Sequence, residues 1–126
     1  MLCQVALTTT VDGKKTRVTR KGDLLISDNQ TRISYEEENA FVAVCIEDGI
    51  VTLTRKGDYS LYLRLEKGKT LDGSLGLGGS EGTIQVKTER IGYFFSENEV
   101  VLDLKYVLLA GEPQNTRVKI EARAEV

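Results

Sequence analysis

The chain has 126 residues, 40% hydrophobic and 29% charged, with a net charge of −2 and a pI near 5.3. That balance describes one globular domain, 1–126, and excludes both a disordered chain and the broad basic footprint of a nucleic-acid binder. Two separated cysteines without a CxxC spacing, no secretory leader pattern and no apolar run of about 20 residues lead to the expectation of a cytoplasmic protein with reduced thiols and no membrane partner.

Taken in chain order, the dominant signal is alternation with period two, the mark of half-buried antiparallel strands. A first strand is predicted near 3–10, closed by the hairpin pair Asp12-Gly13. In a long strand near 15–27, Val18, Leu24 and Ile26 share a face with Arg20, and Gly22 is a natural bend point. Asp28-Asn29 marks the next turn. Strand 31–37 carries Tyr35 and Glu37 behind Ile33. Strand 41–47 is apolar on both faces, Phe41, Ala43 and Cys45 against Val42, Val44 and Ile46, which predicts a neighbour or a second subunit over it.

Asp48-Gly49 then leads into strand 50–56, where Val51 and Leu53 share a face with Arg55. Leu61, Leu63 and Leu65 define strand 60–66. The glycine-rich segment from Lys67 to Gly82 is predicted as the longest loop, a flexible cover over one barrel end. Strand 83–95 continues Ile84 and Val86 with Thr88 and Arg90, and after Ser96-Glu97-Asn98 strand 99–110 sets Tyr106 among Leu102, Leu104 and Leu108. The lone proline, Pro113, falls in the connection Gly111 to Asn115, and strand 115–125 alternates Val118, Ile120, Ala122 and Ala124 with charged residues.

Nine strands and no helix must hide their edges, which predicts an all-β domain, a single antiparallel barrel, with a β-sandwich as the alternative. Val18-Thr-Arg-Lys-Gly-Asp23 nearly recurs as Leu53-Thr-Arg-Lys-Gly-Asp58, read here as a strand that bends or ends at this motif, not as a duplication.

The order of Ile33-Ser-Tyr-Glu36, Phe41 to Ile46, Asp48-Gly49, Val51-Thr-Leu-Thr-Arg-Lys-Gly57, Gly82-Thr-Ile-Gln-Val-Lys-Thr88, a long strand to Tyr106 and an alternating last strand resembles the YwiB-like family. The resemblance runs from about Val5 to the C-terminus, with a departure at Gly76-Leu-Gly-Gly-Ser-Glu-Gly82. It implies a bacterial protein of unknown function with a calycin-like, lipocalin-related barrel, and no established activity.

The chemistry available is narrow. Without histidine there is no Ser-His-Asp triad, Cys-His dyad or histidine metal site, and the two cysteines cannot build a thiolate zinc centre. The glycines from Gly73 to Gly82 lack the Lys-Ser/Thr of a phosphate loop. No cofactor or metal is expected. What remains is a set of polar residues that strand parity places on apolar faces: Arg20, Tyr35, Glu37, Arg55, Thr88, Arg90 and Tyr106. Each lies toward a strand end, so several of them can converge at one barrel mouth. A rim of Arg–Glu pairs would satisfy them structurally, since a buried guanidinium needs a partner. The functional reading is a cationic, tyrosine-lined pocket for a small amphipathic or anionic ligand. The alternative is a filled barrel serving as a protein-interaction or homodimerisation module. An enzyme with Glu37 as general base is a weaker third reading.

Overall fold

A computed structural model describes residues 1–109 and 115–126; the predicted connection around Pro113 lies outside the described residues. Ten strands follow one another: β1 Leu2–Val11, β2 Lys14–Ile26, β3 Thr31–Glu37, β4 Ala40–Glu47, β5 Ile50–Gly57, β6 Tyr59–Leu65, β7 Thr70–Leu77, β8 Ser80–Phe95, β9 Glu99–Leu109 and β10 Thr116–Glu125. Each pairs antiparallel with its neighbour in sequence, and β10 returns to β1, closing an up-and-down barrel. Closure, not a sandwich, therefore removes the sheet edges.

Turn chemistry works as the sequence predicts at two hairpins. Asp12 and Gly13 have φ of 48° and 85°, and Asp48 and Gly49 have 51° and 77°, the doubly left-handed pair that matches strand twist in a two-residue hairpin. The expected loop from Lys67 to Gly82 is different. Most of it is β7 and the start of β8, joined through Gly78 and Gly79 at φ of 59° and 83°. Glycine hid this strand because its inward positions are Leu71, Gly73, Leu75 and Leu77, so the alternation has a gap where no side chain fits. A Cβ on Gly73 would come within 2.5 Å of the Tyr62 carbonyl oxygen.

Register fixes one inward set around the wall. Val5 faces Ala124 and Arg20, Gly22 faces Tyr35, Tyr35 faces Val42, Val42 faces Arg55, and Arg55 faces Leu61. On β4, Val42, Val44 and Ile46 are inward and buried, whereas the outward side is covered only in part: Ala43 is buried but Phe41 stays exposed. The expected burial on both faces thus holds for the middle of the strand alone.

The lumen is not uniform along its axis. One end, the floor, carries both chain termini and the β2–β3, β4–β5, β6–β7 and β8–β9 connections. Toward it Val5, Leu24, Leu63, Leu65, Val86, Val100, Leu102, Leu104 and Ala124 are essentially removed from water and fill the interior. The other end is the mouth. Inward-facing Val18, Leu61, Ile84, Leu108 and Ile120 are only partly buried there, and Leu75 and Leu77 are exposed. The barrel is packed tightly toward the floor, and part of its apolar wall toward the mouth is only half-buried.

Candidate functional site

Two strand irregularities decide which polar groups face the interior. The first is in β2. Residues Lys14 to Asp23 pair with β1, but β3 joins only at Gly22, so Val18 and Arg20 line a stretch of wall with no β3 strand beside it. The second is a bulge in β8, where Thr88 pairs with Tyr106 but Arg90, not Glu89, pairs with Lys105. One extra residue reverses the facing of everything after it.

That bulge removes Arg90 from the predicted set. Its side chain is 65% exposed on the outer wall, with Nε 3.0 Å from Asp103 Oδ2. Parity counted from Val86 fails because the count assumed an unbroken strand. The other six residues face inward, and Thr88 lies on β8 opposite Tyr106. Tyr35 lies within electrostatic reach of Arg20, Glu37 and Arg55, and Tyr106 within reach of Tyr35 and of Tyr59.

Arg55 is fully engaged. Its side chain is only 12% exposed; Nη2 lies 2.8 Å from Asp58 Oδ1, Nη1 donates to the Tyr59 carbonyl at 2.8 Å, and Nε reaches Glu37 Oε2 at 3.5 Å. The guanidinium also lies over the Tyr59 ring, 3.7 Å from its centroid, a cation–π contact. Its hydrogen bond to Asp58 holds that carboxyl below the usual carboxylate range. Asp58 and Tyr59 were not among the predicted site residues. Their signal lay in the Arg-Lys-Gly-Asp motif, which places the acid three residues after the arginine, and in Tyr59 keeping the inward parity of Leu61.

Arg20 is the contrast. It makes no ion pair or hydrogen bond among the described residues, and its Nε is buried without a partner. The near-repeat now has a structural reading. In both copies the arginine points inward, the lysine outward, and the glycine two residues later lies where another strand presses close: Gly22 against the Ser34 carbonyl, Gly57 against that of Asn39. The motifs differ in what answers the arginine: Asp58 binds Arg55, while Asp23 is taken by the N-terminal ammonium at 2.9 Å.

The tyrosines close the lower side of the cluster. Burial, aided by the Glu37 charge, pushes the Tyr35 hydroxyl up to about 12 even though Arg20 and Arg55 pull the other way. Burial also raises Tyr106, with Tyr35 and Tyr59 adding to it. Both are neutral hydrogen-bonding groups at physiological pH. Beside Tyr106, Thr88 is 2% exposed and its Oγ1 has no partner among the described residues. A buried hydroxyl without a partner is destabilising, so Thr88→Val is expected to raise stability by about 1 kcal/mol in urea unfolding. A loss of stability instead would show that the hydroxyl is bonded within the protein.

Among the described residues the site thus offers one guanidinium without a partner, one neutralised arginine, two neutral phenols and an unpartnered hydroxyl.

A family model described as a domain of unknown function (DUF1934) matches residues 4–121. Among solved structures, the YwiB protein of Bacillus subtilis is similar: TM-score 0.83 at 17% identity, covering 98% of this chain and 90% of that one. At that identity the likeness speaks for the fold alone. No curated protein matches the chain.

Proposed function

We propose that this chain, which belongs to the DUF1934 family of domains of unknown function, is a non-enzymatic barrel that binds a small amphipathic anion in its mouth. The observation that carries the reading is Arg20, an inward-facing guanidinium with a buried Nε and no partner among the described residues. A cation in that position is costly unless an anion answers it. Arg55 is less suited to that role, because two carboxylates, Glu37 and Asp58, already answer its charge and the Tyr59 carbonyl takes a further donor. Tyr35, within electrostatic reach of Arg20, supplies a neutral hydrogen bond, and the partly buried Leu61, Ile84 and Leu108 receive the apolar part.

The test is a titration with 8-anilinonaphthalene-1-sulfonate, an amphipathic anion, followed by fluorescence. Arg20→Met keeps an unbranched apolar stem and is expected to weaken binding roughly tenfold to a hundredfold, as loss of a charge-assisted hydrogen bond does. Arg55→Met is expected to change affinity less and stability more. Unchanged affinity in Arg20→Met, with the fold intact, would overturn the assignment.

A further inference from the structure

The bulge that turns Arg90 outward has a second effect at the opposite end of the barrel. The last residue of β8 to pair with β7 is Lys87, opposite Thr70, so from Glu89 onward β8 pairs with β9 alone. The reversed parity brings Ile91, Tyr93 and Phe95 to the inner side, opposite Leu104, Leu102 and Val100. Ile91 joins the core, but Tyr93 and Phe95 rise past the floor and stack on each other, 5.0 Å between centroids at 28°. They remain 45% and 40% exposed, although aromatic rings of this size are normally covered.

These rings form one side of a cleft of about 290 Å³ whose other sides are the β2–β3 connection and the Asp48-Gly49 turn. Its apolar lining includes Ile26, and its charged side chains among the described residues are Asp28 and Asp48. Neither acid is in an ion pair within the described residues, and no lysine or arginine among them lines the cleft. Thr31, 5% exposed, also lines it, and its hydroxyl makes no hydrogen bond among the described residues.

We propose that this floor cleft is a binding site for a small organic cation, a primary ammonium on an apolar or aromatic body. Ring faces carry negative potential and attract cations, the carboxylates add charge of the same sign, and the Thr31 hydroxyl accepts an N–H. An anion meets repulsion from every charged group there. The cleft lies at the low end of ligand-site volumes, which limits the guest to an arylalkyl amine or something of similar size. Its charge preference is opposite to that of the mouth, so the two sites are separable by ligand and by mutation.

The test titrates the full chain with 2-phenylethylamine and, in parallel, with 2-phenylethanol and 3-phenylpropanoate, following backbone amide signals by NMR. The amine is expected to shift Asp48, Gly49, Tyr93 and Phe95 saturably, the alcohol more weakly, and the carboxylate not at all. The double variant Asp28→Asn/Asp48→Asn is expected to weaken amine binding about fivefold to tenfold. Asparagine tolerates the left-handed backbone at position 48, so the turn survives, and undisturbed signals from the mouth strands confirm it. Three results each overturn the proposal: no saturable shift with the amine, equal binding of amine and alcohol, or a double variant that binds the amine like the parent.

Discussion

Gly57→Ala is expected to destabilise the protein by about 3 kcal/mol, or to prevent folding, despite adding one methyl group at an exposed strand end. Position 57 pairs with Ala40 across the β4–β5 ladder, where the chain turns at Glu38 and Asn39. A Cβ there would overlap the Asn39 carbonyl oxygen and lie 2.6 Å from the Ala40 Cβ. These obstacles are backbone or directly attached to it, so no rotamer change relieves them. The two strands must separate where Arg55 and Asp58 are held together. Gly82→Ala is the control, because its added Cβ meets nothing within 4 Å and its φ is ordinary. It is expected to be neutral or stabilising by up to about 1 kcal/mol, since alanine loses less backbone entropy than glycine on folding. Urea unfolding of both variants reads the difference, and equal stabilities would refute the close-packing argument.

Alkaline pH is expected to unfold the barrel from within. Tyr35 ionises near 12 in the folded state, against about 10 in an unfolded chain, and Tyr106 is raised further by burial. A raised folded-state value means that stability from these groups is fully present below about pH 10. It is lost as pH climbs toward 12, because the unfolded chain releases protons that the native barrel retains. For Tyr35 alone the loss approaches roughly 2–3 kcal/mol at the top of that window, from the usual 1.4 kcal/mol for each pH unit. Stability by urea unfolding should therefore fall between pH 10 and 12. Tyrosine NMR should show Tyr35 and Tyr106 still protonated at pH 10.5 in the folded protein. Phe replacements at both positions should flatten the slope. Early ionisation of either ring would mean that it is not enclosed as described.

The two arginines show how much of the site was legible in the chain and how much was not. Arg20 and Arg55 fall on the apolar parity of their strands and do face inward, and so do Tyr35, Glu37, Thr88 and Tyr106. Arg90 obeys the same rule on paper and points outward, because a bulge between Thr88 and Arg90 shifts its register against β9. The same displaced register makes the Tyr93–Phe95 stack, which strand alternation alone places on opposite walls from where they lie. Similarly, β7 went unseen because two of its positions hold glycines packed against Tyr62 and Ser60, and a missing side chain leaves no mark in a hydropathy pattern.

Local chemistry is therefore what the chain determined unaided: alternation every two residues, Asp-Gly pairs that accept left-handed turns, and the absence of histidine, which excludes histidine-based triads, dyads and metal sites. Strand number, barrel closure and the division between a packed floor and a half-buried mouth wall depended on pairing between residues far apart. The same is true of which arginine is answered and which is free. Asp23 and Asp58 occupy equivalent places in one repeated motif, yet only the folded chain brings the N-terminal ammonium to the first and leaves Arg20 without its acid. A motif sets which charges are available; the register of distant strands sets which of them meet.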